Sequence, residues 1–429
     1  MKRYTTSFLF LAVTLLAACY GAHRDHGESL ADAGDVDGPL TCGMQTCNEV
    51  PAATCLAQDT LRTFSATCSN TGCSYPSTDT ACGAAGCCGD HCCVLVPSNS
   101  DAVGVLDTTG LVIAPPSGTF NTDTGCVATS ALGACSVVPR AGLPDACVCR
   151  MDELTIGSLK VTGNRALVIM AARSVDITTL LDVSADISTG GPGATRMYAT
   201  TAAGSTGGAG GSYQTRGGGG GTGTASAATY GDPTLIPLLG GMRGQASITG
   251  GGGGGAVQIT AGIRIGVTGK INAGGGGGQG GGNTWSSSGA DGGGSGGAIL
   301  LEAPSITITG GLLANGGGGG GGGGTGAWGG NGANAVMIGG SGGTGRGGAG
   351  CPLYGYVSGG YGGDGADRVS IAQSGGANAY DARCIGAAAF VGGGGGGGGV
   401  GRIRINTMTG CQCGGTVSPD ATFGAVSVR

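Results

Sequence analysis

The second half of the chain repeats one pattern, in which short alternations of apolar and polar residues are followed by runs of glycine. The clearest copies are AVQITAGIRIGVTGKINAGGGGG, from Ala256, and AILLEAPSITITGGLLANGGGGG, from Ala298. Each contains a strand, a turn, a second strand, a glycine and a third short apolar piece. A looser copy starts at Ala166, and GRIRINTMTG, from Gly401, is incomplete. Such alternations between turn residues predict β-strands.

Each copy predicts one coil of a parallel β-helix. A coil of this length cannot bury its apolar face alone, so successive coils must stack. Because side chains alternate across a strand, one set should face a shared interior: Val168, Met170, Val257, Ile259, Ile299, Leu301, Ile403 and Ile405. Gln258, Glu302 and Arg404 should then face water. The sequence therefore predicts an all-β solenoid.

The glycine runs are predicted to be insertions that leave the coils at one corner, at about residues 190–255, 274–297 and 316–399. Two structures are possible for them. In the first, they are disordered loops, because ordering a residue costs roughly 1–2 kcal/mol. Alternatively they pack as extended three-residue helices, for which only glycine lets backbones approach closely enough.

The first residues predict export. Lys2 and Arg3 precede the apolar stretch Phe8–Leu16, which is too short to span a bilayer. The sequence Leu16-Ala17-Ala18-Cys19 resembles a bacterial lipobox, which makes residues 1–18 a lipoprotein signal peptide and Cys19 the lipidated residue. The alternative is an ordinary secretory cleavage site. Residues 19–40 are polar and predict a tether. The expected location is the outer membrane or cell surface.

Cysteine usage agrees with export. Ten of the 19 cysteines lie between Cys42 and Cys93, and we predict a disulfide-rich module at residues 41–97, followed by the β-rich domain at 98–429. A zinc site around His91 is the alternative. Cys351 and Cys384 stand alone in the longest insertion, so we predict that they form a disulfide.

Charge and composition narrow the function. Glycine supplies 103 of 429 residues, only 10% are charged and the net charge is −5. A net negative chain does not favour nucleic acid as a partner. From residue 191 to 400 the acidic residues are Asp232, Asp291, Glu302, Asp364, Asp367 and Asp381. They form no pattern of paired catalytic carboxylates, so we predict no catalytic residue, no metal and no cofactor. The alternative is a calcium site, because GGYGGDGAD, from Gly359, fits a calcium-binding nonapeptide; Asp364 and Asp367 are the candidate ligands.

Two resemblances bear on fold and location. The cysteine spacing from Cys47 to Cys82 is similar to a small module of exported myxobacterial proteins. The motifs ELTIGSLKVTG, GGGGGGAVQITAG, GGGSGGAILLEAPSITITG and GGGGGGGGVGRIRI resemble, in order, those of glycine-rich surface lipoproteins of myxobacteria. That resemblance covers about residues 150–406 and implies a pectate-lyase-type right-handed β-helix. The chain departs from it at YGDPTLIPLLGGMRG, in the first insertion.

These observations together predict a lipid-anchored surface protein with a structural or adhesive role. The expected partners are the membrane, through the N-terminal lipid, and extracellular polysaccharide or neighbouring cells. The alternative is a β-helical enzyme, a polysaccharide lyase or hydrolase.

Overall fold

A computed structural model describes residues 41–335, 359–377 and 392–429. Within the first range it leaves out 195–204, 283–288, 324–328 and several gaps of one to four residues. The described residues form β-strands and no α-helix, and among them no helix meets the length and apolarity that a membrane span requires. The chain divides into two compact units, residues 1–50 with 66–75, and residues 51–65 with 76–429.

Ten short strands make up the cysteine-rich region: β1 (Thr41–Cys42), β2 (Gln45–Thr46), β3 (Thr54–Ala57), β4 (Thr60–Phe64), β5 (Thr67–Ser69), β6 (Gly72–Ser74), β7 (Ser77–Ala81), β8 (Cys87–Cys88), β9 (His91–Cys92) and β10 (Leu95–Val96). In the smaller unit, β1 pairs with β2 and β5 with β6, both antiparallel, and a disulfide joins Cys47 to Cys73. In the larger unit, β4 pairs with β3 and β7, and β8 pairs with β9.

The larger unit is built on one extensive sheet. Its first strands are β11 (Val112–Ile113), β12 (Gly118–Asn121), β13 (Ala134–Val138), β14 (Ala146–Thr162) and β15 (Ala166–Asp182). Strands β14 and β15 are parallel along their length, while β13 is antiparallel to β14.

The repeats supply the following strands: β16 (Ala256–Ala261), β17 (Arg264–Val267), β18 (Lys270–Asn272), β19 (Ala298–Glu302), β20 (Ser305–Ile308), β21 (Gly311–Leu313), β22 (Arg402–Asn406), β23 (Cys411–Cys413), β24 (Thr416–Ser418), β25 (Thr422–Gly424) and β26 (Ser427–Val428). Corresponding strands of successive repeats pair in parallel, giving the ladders β16–β19–β22, β17–β20–β23 and β18–β21–β24. The parallel sheet curls into a half-barrel. The C-terminal strand β26 pairs with β10.

The main hydrophobic core lies on one face of this sheet. Val257, Ile259, Ile299 and Leu301 point into it, as the alternation predicts, and so do Ile403 and Ile405. Because the strands of each ladder are in register, equivalent residues stack from one repeat to the next.

The first repeat presents the opposite residues from those predicted. Leu167 aligns with Val257 in the ladder, and both Leu167 and Ile169 lie in the main core. Val168 and Met170, which were expected there, belong to a second apolar cluster. The stretch ALVIM is apolar at every position, so its alternation carries no information about which face is which.

The second cluster explains the unusual sequence of the first insertion. Tyr213, Leu235 and Leu238 from that insertion pack with Val168 and Met170. Burial raises the pKa of the Tyr213 hydroxyl, which stays protonated and donates to the Leu239 carbonyl at 2.8 Å. The segment YGDPTLIPLLGGMRG is therefore a cover for the second face of the sheet, and it supplies the side chains that a plain glycine run lacks.

Candidate functional site

The described glycine runs lie side by side as extended chains and hydrogen-bond to one another. The run Gly316–Gly323 is surrounded by others. Its amides donate to three neighbouring runs in rotation, at 2.8–3.0 Å: Gly316, Gly319 and Gly322 to the carbonyls of Ala366, Gly363 and Gly360; Gly317 and Gly320 to those of Gly294 and Asp291; Gly318 and Gly321 to those of Ala333 and Gly330. Each neighbouring run therefore accepts a hydrogen bond from every third residue of this run.

The carbonyls of the same run accept from two further neighbours. Gly278 and Gly281 donate to Gly318 and Gly321, and Gly398 and Gly395 donate to Gly317 and Gly320. The run thus contacts five others, some parallel and some antiparallel. A three-residue period is the repeat of the extended polyproline-type helix, which makes no hydrogen bonds within itself. We call this assembly of runs the glycine array.

Close approach of the backbones explains why these positions are glycine. A Cβ on Gly320 would come closer than 3.0 Å to the Gln279 carbonyl carbon and oxygen, a separation that real Cβ atoms essentially never show. With period three, a Cβ on Gly317 would collide with the carbonyl oxygen of Gly276, and a Cβ on Gly323 with that of Gly282. Of the two structures considered for the insertions, the described runs adopt the packed one.

The parallel sheet holds the ends of the runs. The segments between Asn272 and Ala298, and between Leu313 and Arg402, start after the third strand of one repeat and end at the first strand of the next. A hydrogen bond contributes only about 0.5–1.5 kcal/mol net, and ordering a residue costs about 1–2 kcal/mol. The array therefore depends on the sheet, which fixes where each run starts and ends.

Polar side chains finish the edge of the array. The Oδ1 atom of Asn331 accepts from the Gly280 amide at 2.9 Å, and that of Asn334 accepts from the Gly277 amide at 2.8 Å. The two asparagines are three residues apart, so they follow the period of the runs and supply acceptors to the neighbouring chain. Both asparagines thus have a structural role at the edge of the array.

A buried carboxylate lies inside the array. Asp291 is fully buried, and its Oδ2 accepts from the Thr249 amide at 2.9 Å and from the Gly250 amide at 2.8 Å. The Thr249 hydroxyl donates to Gln279 Oε1 at 3.1 Å. The Thr249 and Gly250 amides lie at a turn between runs, and Asp291 stabilises this turn by accepting hydrogen bonds from both.

Glu302 is buried, which corrects the prediction that it faces water. It is 1% exposed, and two residues on the same face of the preceding repeat are fully buried: Thr260, which is in register with Glu302, and Gln258. Gln258 Nε2 donates to Glu302 Oε2 at 2.8 Å, and the Thr260 hydroxyl donates to the same oxygen at 3.1 Å. Arg404, the third residue predicted to face water, is half-buried.

The segment that follows the cysteine-rich region covers Glu302. The Ser98 amide donates to both carboxylate oxygens at 3.2 Å, and its hydroxyl donates to Oε1. Asn406 Nδ2 donates to Oε1 at 3.1 Å, and Asn99 Nδ2 donates to Gln258 Oε1 at 3.0 Å. No sequence signal identifies Ser98 and Asn99 as partners of residues 204 and 159 positions away, because the contact depends on the folded path of the chain.

The other acidic residues that were considered for catalysis also make local hydrogen bonds. A hydrogen bond from the Thr234 hydroxyl is the main cause that lowers the pKa of Asp232. Asp367 accepts from the amides of Val369 and Ser370, at 2.9 and 2.7 Å, and closes a turn. Asp364, its partner in the calcium pattern, accepts a hydrogen bond from the Gln373 amide through its backbone carbonyl. Asp381 lies outside the described residues.

Cysteines in the described region form disulfides. Besides Cys47–Cys73, the bonds are Cys55–Cys87, Cys82–Cys92, Cys88–Cys93, Cys126–Cys147, Cys135–Cys149 and Cys411–Cys413. His91, which was considered as a zinc ligand, instead lies 2.8 Å from the Asp90 carboxylate and is exposed. The sulfurs of Cys135, Cys147 and Cys149 lie within 4.8 Å of one another, but each is engaged in a disulfide.

These bonds predict the thiol content of the purified protein. Titration under denaturing conditions without reductant should find no more than about two free thiols, because most of the described cysteines are paired in disulfides. After reduction, the count should rise to the full cysteine content. About ten free thiols before reduction, or stoichiometric zinc bound to residues 41–93, would support the metal-site alternative instead.

Three of the predicted site residues, Cys19, Cys351 and Cys384, lie outside the described residues. No family model matches the chain, and neither a curated protein nor a solved structure shows significant similarity to it. The function must therefore be inferred from the chain's own geometry, of which the glycine array is the largest distinctive part.

Proposed function

We propose that the protein is a lipid-anchored component of the outer membrane or cell surface with a structural or adhesive role. The observation that carries this proposal is the glycine array. Its amides and carbonyls are engaged with neighbouring runs, and its close contacts leave no space for side chains. Such an assembly is suited to act as a rigid support that holds connecting segments at fixed positions.

We further propose that the sheet is a right-handed parallel β-helix. Each repeat contributes three strands, and the equivalent strands of successive repeats are parallel and in register. Parallel crossover connections are right-handed in nearly all proteins. The resemblance of the motifs to glycine-rich surface lipoproteins of myxobacteria supports the same fold.

Disulfides support the extracellular location. They persist in oxidising compartments and are rare in the cytosol, and several here close short loops in a region with little apolar core, such as Cys88–Cys93. This agrees with the signal sequence predicted before Cys19. Binding partners would then be extracellular: polysaccharide, matrix or neighbouring cells.

The lipid anchor can be tested by Cys19→Ser. Serine lacks the thiol that accepts the diacylglycerol, so the variant should leave the membrane fraction or accumulate unprocessed. Fractionation followed by immunoblotting measures this, and Cys411→Ser serves as a control that removes a cysteine far from the signal sequence. Membrane attachment of Cys19→Ser at the wild-type level would contradict the lipoprotein assignment.

The adhesive role can be tested with the purified full chain in detergent. We expect saturable binding to extracellular polysaccharide in a co-sedimentation assay, and reduced cell–cell cohesion in a deletion strain. The same polysaccharide should keep its length after incubation with the protein. Depolymerisation would support the enzyme alternative, and the absence of both binding and a cohesion defect would contradict the adhesive role.

A further inference from the structure

A cavity of about 410 Å³ lies where β14 and β15 adjoin the first insertion. This volume falls in the range of small-molecule sites. The backbone of Gly163 and Gly191 is part of its lining. The polar side chains that line it are those of Asn164, Ser188, Thr189 and Arg243. Asn164, Ser188 and Thr189 are exposed, so a ligand can reach the cavity from solvent.

Arg243 is held in place by the protein. One terminal nitrogen donates to the Thr249 carbonyl at 2.7 Å and the other donates to the Ser188 carbonyl at 2.8 Å. A guanidinium has five N–H donors and keeps its charge in proteins. Two backbone carbonyls therefore fix the group without neutralising it, and further donors remain for an anion.

A second lining residue, Asn164, is also held in place. Asp123 accepts from the amide nitrogen of Asn164 at 3.1 Å and from its Nδ2 at 2.7 Å, which fixes the side-chain amide. Arg165 is paired with the same carboxylate at 3.4 Å. Asp186, two residues before Ser188, receives a hydrogen bond from Asn334 at 3.3 Å and is not among the residues that line the cavity.

Closely packed glycine backbone also lines the cavity. A Cβ on Gly191 would collide with the Val183 carbonyl oxygen and with Gly255, and the Gly191 amide donates to the Gly253 carbonyl at 2.9 Å. Because this part of the lining is closely packed backbone, we expect the cavity to keep its shape without a ligand.

We propose that this cavity binds a phosphorylated sugar. The side chains that line it include one fixed cation, two hydroxyl groups and no carboxylate, which suits a phosphoryl group with several acceptor oxygens. The volume exceeds that of a phosphate ion, so a sugar can fit beside the phosphoryl group, and the backbone carbonyls of the glycine segments suit its hydroxyls. The inference deepens the proposed adhesive function, on which it rests, since such a group is displayed by surface glycans and by lipid headgroups.

Calorimetry and ligand-detected NMR on the full chain in detergent test the site. Glucose 1-phosphate should bind, while glucose and inorganic phosphate should each bind at least tenfold more weakly. Arg243→Gln should weaken glucose 1-phosphate at least tenfold, and Thr189→Val, which keeps the shape and removes the hydroxyl, should weaken it several-fold. Arg368→Gln, at an exposed ion pair with Asp420, is the matched control and should change nothing.

Other outcomes would overturn the inference. Glucuronate binding more tightly than glucose 1-phosphate would replace the phosphoryl class by a carboxylate. Equal loss in Arg368→Gln would show non-specific attraction, and unchanged binding in both Arg243→Gln and folded Thr189→Val would place the ligand elsewhere. If the polysaccharide assay succeeds while glucose 1-phosphate fails to bind, only this site is wrong; the reverse result would retain the site and contradict the adhesive role.

Competition experiments separate the two natural sources of the phosphorylated sugar. Vesicles that carry a phosphorylated glycolipid should compete with glucose 1-phosphate if the headgroup is the ligand, and a phosphorylated oligosaccharide should compete if the source is a glycan. Competition by either, lost in Arg243→Gln, supports the shared chemistry. Competition by neither would contradict a role for the cavity in surface recognition.

Discussion

Gly320→Val should disrupt the glycine array and destabilise the larger unit by at least about 3 kcal/mol, since overpacking commonly costs about 1–3 kcal/mol and here the obstacle is backbone. The new Cβ would be forced against the Gln279 carbonyl, which cannot move without breaking its own run. The Gly320 amide would also lose its bond to the Asp291 carbonyl, now 3.0 Å long. Denaturant unfolding of the purified protein measures the loss.

Hydrogen exchange shows where the effect occurs. In the wild type, amides of Gly316–Gly323 and Gly392–Gly399 should be protected, though less than those of β19, because they are bonded to neighbouring runs. Valine at position 320 should remove the protection in its own run. Free exchange of both runs in the wild type would instead show that they are mobile loops.

Gly414→Val is the matched control. A Cβ at Gly414 meets no atom within 4 Å, and this glycine does not have a positive φ. The same substitution should therefore change the free energy of unfolding by less than about 1 kcal/mol, as surface substitutions generally do. Equal destabilisation by the two valines would show that close packing at Gly320 is not the cause.

Glu302→Gln should destabilise the protein by roughly 3 kcal/mol or more, because each buried polar group left unsatisfied costs about 1–3 kcal/mol. Both carboxylate oxygens accept from several donors, among them Ser98, Gln258 and Asn406. The glutamine side chain has only one acceptor oxygen. In either orientation its NH₂ group would face some of these donors, which would then lose their hydrogen bonds. Unfolding experiments, with hydrogen exchange at Ser98 and Asn99, measure the loss.

Glu153→Gln removes a comparable charge at the surface. Glu153 pairs with Arg173 at 3.1 Å, and both side chains are well exposed. Exposed ion pairs contribute at most about 1 kcal/mol, so this variant should unfold nearly as the wild type does. If Glu302→Gln were equally mild and left exchange at Ser98 unchanged, the buried network would not be what attaches this segment to the sheet.

Alternation along the sequence identified the strands of the later repeats and the residues that face their core. In AVQIT and AILLE, polar Gln258 and Glu302 break the apolar run, so the inward face can be chosen, and Val257 and Ile299 do point inward. In ALVIM no polar residue breaks the run, and the choice of Val168 and Met170 was wrong. The information was absent because the first residues of that strand are apolar on both faces.

The burial of Glu302 shows a second limit. A polar residue in an alternating strand ordinarily faces water, yet here Ser98 and Asn99 lie over that face and supply donors to Glu302 and Gln258. The glycine runs show the same limit in another form. Composition allowed both loops and packed chains, and the choice depended on whether five neighbouring runs reach hydrogen-bonding distance of Gly316–Gly323.

The sequence by itself determined the repeated strands and the corner at which the glycine segments leave them, because these follow from local alternation, spacing and composition. Tertiary structure alone decided which face of the first repeat is inward, what covers Glu302, how the glycine runs are ordered and where a cavity forms beside Arg243. Each of these depends on hydrogen bonds and packing between segments far apart in the chain, and the sequence of one segment does not show which other segment it will contact.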